Sequence, residues 1–154
     1  MANVKAIPEG YHAVTPYLIC DGAAEAMAFY RKAFGATDAY PPVLAPGGKV
    51  RHAEMRIGDS LVMLADEVPE MGFRGPRAHG GTPVSLHLYV ADVDATFRAA
   101  VDAGAKIVRE VENQFYGDRS GIIEDPCGHV WSISTHVEDV SPEELERRMK
   151  AQAG

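Results

Sequence analysis

The chain has 154 residues, with 15 basic against 22 acidic side chains and a formal net charge of -7. That length suits one domain that buries about two thirds of the surface its unfolded chain exposes, and the acidic surplus disfavours nucleic acid and anionic membrane as partners. No apolar run approaches the ~18 residues of a spanning helix, and the amino terminus Met1-Ala2-Asn3-Val4-Lys5-Ala6 lacks the apolar core of a secretory signal, so the chain reads as cytoplasmic, with Cys20 and Cys127 kept as thiols.

In chain order, residues 14–20 alternate as a half-buried strand does, and Asp21-Gly22 opens a helix. Its Ala24, Met27, Ala28, Tyr30 and Phe34 fall largely on one side before Gly35 ends it. Strands are expected over 39–44 and 49–57, separated by Pro46-Gly47-Gly48, and Gly58-Asp59 turns into a further strand over 60–65. Residues 68–82, rich in glycine and proline, form a connector that serves as a linker or as a lid. A strand over 84–91 follows, then a helix from Val93 to Ala103 capped by the carboxylates of Asp92-Val93-Asp94. Strands are expected over 107–112, 121–124 and 129–135, the last two joined by Asp125-Pro126-Cys127-Gly128. Ser141-Pro142-Glu143-Glu144 has the form of a capping box and starts a short charged helix over 142–151.

The two halves repeat. Thr15-Pro16-Tyr17-Leu18-Ile19-Cys20 lies over Ser85-Leu86-His87-Leu88-Tyr89-Val90 at an offset of 70 residues, Gly58-Asp59 lies over Gly128-His129 at the same offset, and Gly35-Ala36 lies over Gly104-Ala105 at 69. One strand–helix–three-strand unit is used twice. The expected fold is α+β: a module over 12–67, the connector 68–82, a second module over 83–137 and the terminal helix, all in one domain of residues 1–154 whose curved mixed sheet holds a central cleft. Because side chains alternate across a strand, Leu86, Leu88 and Val90 belong under the helices, while Ser85, His87 and Tyr89 face the cleft. Thr15 and Tyr17 face it by the repeat. Ala53, Met55 and Ile57 point to the helices and His52, Glu54 and Arg56 away from them. Trp131 reads as core and His136 as an anchor for the tail; Cys20 reads as packing and Cys127 as incidental in its turn.

The helix text Ala28-Phe29-Tyr30-Arg31-Lys32-Ala33-Phe34-Gly35-Ala36 and Glu124-Asp125-Pro126-Cys127-Gly128-His129-Val130-Trp131, set in two βαβββ modules, resemble the vicinal oxygen chelate superfamily of glyoxalases, bleomycin-resistance proteins and extradiol dioxygenases. His52-Ala53-Glu54-Met55-Arg56-Ile57-Gly58-Asp59-Ser60, Tyr116-Gly117-Asp118-Arg119 and Trp131-Ser132-Ile133-Ser134-Thr135-His136 resemble its PhnB-like branch. The resemblance spans about residues 12–137. It implies a homodimer whose subunits complete each other's clefts, and in the metal enzymes a divalent ion held by His and Glu at four inner-strand positions. Those positions fall here on Thr15, Val62 or Met63, Ser85 and Ser132, none of which brings an imidazole or carboxylate.

No cofactor is therefore expected, and the first reading is a protein that binds a small metabolite or drug in the inter-module cleft. The ligand-binding candidates are Tyr17, Tyr89, Tyr116, Arg119, Ser85 and Ser132, with Arg119 either meeting an anionic group or standing in solvent. The alternative is an enzyme of the lyase or isomerase type that moves a proton, with Glu54 as base and His52 or His87 as acid. A displaced divalent site on His52, Glu54 and His87 is the metal-dependent form of that alternative.

Overall fold

The computed structural model describes residues 3–154, so the first two residues of the amino-terminal stretch lie outside the described residues. Each half of the sequence repeat builds its own mixed sheet. In module one, β1 (Tyr17–Cys20) leads into α1 (Ala23–Phe34), followed by β2 (Thr37–Asp38), β3 (Val43–Leu44), β4 (Val50–Ile57) and β5 (Ser60–Asp66). The sheet runs β1-β5-β4-β2, with β3 also on β4; β1 is parallel to β5 and the rest is antiparallel. In module two, β6 (Ser85–Tyr89), α2 (Val93–Asp102), β7 (Lys106–Asn113), β8 (Asp118–Glu124) and β9 (Val130–His136) give the order β6-β9-β8-β7 with the same parallel first pair. A carboxy-terminal helix, α3 (Pro142–Gln152), follows.

The strand expected over 39–44 is instead two short pieces, β2 and β3, with Pro41-Pro42 between them. Proline offers no N–H to a ladder, so pairing with β4 stops and restarts there. In the second module, β8 begins three residues earlier than expected because Asp118, Arg119 and Ser120 pair with His136, Thr135 and Ser134. The connector carries two single helical turns, Pro69–Met71 and Pro76–His79.

Alternation sorts the strands as the sequence requires. Leu18, Ala53, Met55, Ile57, Val62 and Leu64 are buried under α1, and Trp131, Ile133 and Ile123 are buried on the helix side of module two. The aromatic side chains join the halves: the Trp131 ring lies 5.4 Å from Tyr30 and 4.9 Å from Phe34, both on α1. On the far side of module two, β8 passes so close to α2 that a Cβ on Gly121 would sit 2.6 Å from the Phe97 ring.

A buried carboxylate fastens this interface. Asp125 Oδ1 accepts from the backbone N–H of Cys127 and His129, while Oδ2 accepts from the Tyr30 hydroxyl and from Trp131 Nε1. Four donors stabilise the charge that burial would otherwise penalise. His129 Nε2–H then donates to Ile19 O of β1 at 2.9 Å, so the β8–β9 turn is tied to both α1 and β1 of the other module.

The helix starts differ in mechanism. Asp92 and Ser141 cap α2 and α3 through Ala95 N and Glu144 N. Helix α1 starts at Gly22 without a side-chain cap of its own; Asp66, at the end of β5, accepts from Gly22 N, Ala23 N and Val50 N instead. The capping box expected at α3 is half formed. Glu144 turns away from the Ser141 N–H to pair with Arg147 and Arg148, which hold its carboxyl down at about 2.

Helix α3 has no buried residue, so its docking is electrostatic. Arg148 pairs with Glu138 and Glu144 and donates to Phe115 O, and His136 sits between Asp139 (2.7 Å) and Asp118 (2.8 Å). Hydrogen bonds to Asp139 and then Asp118 raise the His136 pKa above 6.5. For Asp118, burial pushes the pKa up, but the bonds from His136 and Tyr89 outweigh it and leave the carboxyl below 3.8. A raised histidine contributes fully below its unfolded pKa and loses that contribution as pH rises through the folded value; a lowered aspartate contributes above its unfolded pKa and loses that contribution as pH falls. The clasp is therefore strongest between these limits. Amide exchange across 142–152, corrected for intrinsic rate, is expected to show protection that falls as pH is raised past the His136 value, and His136→Gln should flatten that dependence.

Candidate functional site

On the open face of module one, three side chains from two strands form a relay. Tyr17 of β1 and His52 and Glu54 of β4 all point away from α1, as period-2 alternation demands. Glu54 Oε1 accepts from His52 Nε2–H at 2.8 Å, which leaves Nδ1 free to accept the Tyr17 hydroxyl proton at 2.9 Å. The Glu54 side chain is 14% exposed and its second oxygen, Oε2, is buried without a hydrogen-bond partner. Burial also raises the Tyr17 pKa, so the group remains a phenol at neutral pH. With His52 neutral, Tyr17 presents lone pairs to a neighbouring molecule; with His52 protonated, the phenol proton is released for donation. The relay thus has the parts of a general acid–base pair.

Tyr17 also lines a cavity of about 560 Å³ with Ile19, Arg51, Ala65, Asp66, Val68, Met71 and Phe73. Its walls are mostly apolar. The connector forms one wall as a tight loop, in which Val68 and Phe73 exchange both backbone hydrogen bonds and Gly75 N donates to Glu67. Met71 and Phe73, bulky apolar residues in a glycine- and proline-rich stretch, are the sequence signal that could have placed the connector beside this hollow.

The other candidates lie elsewhere. His87 faces a smaller hollow between the modules, about 150 Å³, with His12, Val14, Thr15 and Pro16. It shares the open face of module two with Ser85, Ser132 and Tyr89, and its ring is 4.7 Å from that of Tyr89. Tyr89 donates to Asp118 at 2.8 Å and is thereby joined to His136. Tyr116 stands in the β7–β8 turn, edge-on to Phe115 and within electrostatic reach of Tyr89. Arg119 does not face the cleft. It lies on the helix side of β8, where Nε and Nη2 grip both oxygens of Asp94 at 2.8 Å and Nη1 reaches Asn113. The pairing of Arg119 with Thr135 sets that parity. The main hollow is likewise on one module's face instead of between the two.

His87 does not join His52 and Glu54: among the described residues no three His, Cys, Asp or Glu side chains converge to hold a metal. At the position left open in β5, Met63 is the open-face residue opposite Tyr17 and Glu54, while Val62 is buried opposite Met55. Thr15, Met63, Ser85 and Ser132 present hydroxyls and a thioether, a donor set unsuited to a catalytic divalent ion. Among the described residues no helix is long and apolar enough to cross a membrane.

A duplicated βαβββ protein with paired modules and an open-face hollow is the class that fold and site define. Residues 11–133 match the model of the Glyoxalase/Bleomycin resistance protein/Dioxygenase superfamily, and the chain belongs to that family. It is 46% identical over 143 residues to the uncharacterized proteins Rv0887c of Mycobacterium tuberculosis H37Rv and Mb0911c of Mycobacterium bovis, covering 91% of this chain and 84% and 93% of those relatives. Among solved structures it is similar to the Arabidopsis thaliana gene product At5g48480 (TM-score 0.64, 26% identity, 80% of this chain and 98% of that one). It also shares its fold with TioX from Micromonospora sp. ML1 (TM-score 0.63, 24%, 84% and 100%). A Bacillus cereus PhnB protein, named as a putative 3-demethylubiquinone-9 3-methyltransferase, is a further neighbour (TM-score 0.61, 20%, 80% and 99%).

Proposed function

We propose that the protein binds a small, largely apolar molecule on the open face of module one, with Tyr17, His52 and Glu54 reading one polar edge of it. The observation that carries this is the cavity of about 560 Å³ with Tyr17 in its lining. That volume falls in the ~300–1,000 Å³ range of small-molecule sites, whereas the hollow at His87 is too small for one. The ligand contributes apolar area to Ile19, Ala65, Val68, Met71 and Phe73, and hydrogen bonds to Tyr17. No metal or other cofactor is part of this reading, and metal analysis of the purified protein is expected to find no stoichiometric divalent ion.

The test starts from a ligand found by thermal-shift screening. Tyr17→Phe, His52→Ala and Glu54→Ala are each expected to weaken it by roughly 5- to 50-fold, as loss of one or two hydrogen bonds implies. A ligand whose affinity all three variants leave unchanged sits elsewhere and overturns the proposal. The relay supports a second reading, proton transfer on the bound molecule with Glu54 orienting His52 as base. That reading requires Glu54→Gln to abolish a measured turnover while affinity survives; sequestration requires affinity to fall with no turnover to lose.

A homodimer belongs to the same proposal, supported by large apolar side chains left in solvent near the open faces, among them Tyr17, Met71, Phe73 and Tyr89. Solution scattering is expected to return twice the 16.6 kDa chain mass.

A further inference from the structure

Cys20 ends β1 in module one and Cys127 occupies the β8–β9 turn of module two, and both are buried thiols. They are neighbours. The Cys127 sulfur lies 3.8 Å from Asp21 O and 3.9 Å from Gly22 O, the two carbonyls that directly follow Cys20. Both belong to the same buried core, where the adjoining Cys127 side chain and then burial raise the Cys20 pKa far above its ordinary value. Cys20 therefore remains protonated and unreactive by itself. Cys127 is on a turn whose residues on either side of it meet the connector: the Arg77 guanidinium donates to Pro126 O, and Pro76 lies so close to Gly128 that a Cβ there would be 3.2 Å from it. The covering segment is a single helical turn, Pro76–His79, with only Pro76 buried. Such a segment opens far more readily than the core beneath it.

We propose that Cys20 and Cys127 are an oxidation site that closes into an intramolecular disulfide joining the two modules, with the Pro76–His79 turn controlling access. The oxidant is a peroxide. Once the turn lifts, Cys127 loses its proton to solvent and its sulfur attacks one peroxide oxygen; the O–O bond breaks, hydroxide leaves and takes up a proton as water, and Cys127 becomes a sulfenic acid. The Cys20 thiol, inert until a sulfenic acid stands beside it, then attacks the Cys127 sulfur and gives its proton to the departing hydroxyl as the S–O bond breaks, so that a second water forms and the S–S bond closes. Two thiol hydrogens and two electrons pass from the protein to the peroxide, which ends as two waters. A small thiol returns the pair to its reduced form by exchange.

The experiment treats the folded 154-residue protein with hydrogen peroxide, alkylates remaining thiols after denaturation, and reads intact mass and a non-reducing peptide map. The expected result is joint loss of both thiols with removal of two hydrogen atoms per chain, a cross-linked peptide containing Cys20 and Cys127, and reversal by dithiothreitol. Oxygen adducts on either cysteine without that peptide, or disulfides only between chains, overturn the pairing. No reaction until the protein is unfolded overturns it equally. Arg77→Ala and Arg77→Gln are expected to accelerate closure about fivefold by removing one hydrogen bond that holds the cover; an unchanged rate in both overturns the access role. The wild-type map decides the pairing whatever the variants do.

Discussion

Replacing Asp125 by alanine is expected to lower stability by about 4 kcal/mol, measured by chemical denaturation with tryptophan fluorescence as the signal. The carboxylate is 2% exposed and satisfies four donors. Its removal leaves the Tyr30 hydroxyl and the Trp131 indole N–H buried without acceptors, each costing about 1–3 kcal/mol, and releases two backbone N–H groups of the turn. Relief from burying a charge offsets part of this. Asparagine is expected to fall between, near 2 kcal/mol: its amide oxygen still accepts from the turn, but its NH₂ faces the Trp131 N–H, donor against donor. Because Tyr30 belongs to α1 and Trp131 to β9, the loss also loosens the joint between modules. A change under 1 kcal/mol for the alanine variant would mean the halves are held together by the aromatic packing alone.

Gly117→Ala is expected to destabilise by about 3 kcal/mol and to release the carboxy-terminal segment. Two costs combine. Gly117 has φ 103, a conformation alanine rarely adopts, and its added Cβ would lie 2.1 Å from Glu138 O. The atom in the way is backbone, tied to Gly117 O through the N–H groups of Val137 and Glu138, so no side-chain rotation relieves the clash. The segment 137–140 has to move, and the neighbouring His136–Asp118 contact moves with it. Thermal denaturation reports the first effect. Loss of amide protection in 142–152, with protection of β4 and β5 retained, reports the second.

Much of the fold was legible because two periodicities carry it. The alternation in Ser85–Tyr89 and Val50–Ile57 assigned each side chain its face, so His52, Glu54, His87 and Tyr17 were placed on open faces without coordinates. The Pro41-Pro42 break was written in the sequence too, as a missing pair of N–H groups. Arg119 shows where such reasoning stops. Its neighbours gave no period to follow, and only the register of β8 on β9 reveals that it faces α2.

What the sequence by itself determined is the duplicated strand–helix–sheet order and the faces of the strands, all properties of residues near one another in the chain or related by the repeat. The tertiary structure decided which of those residues meet. Tyr17 reaches His52, Asp125 gathers Tyr30 and Trp131, Cys127 settles against the backbone that follows Cys20, and the connector walls the open face of module one instead of leaving the hollow between modules. Most of these contacts join segments far apart in sequence, and their partners depend on how two sheets and a long loop pack, which local patterning does not encode.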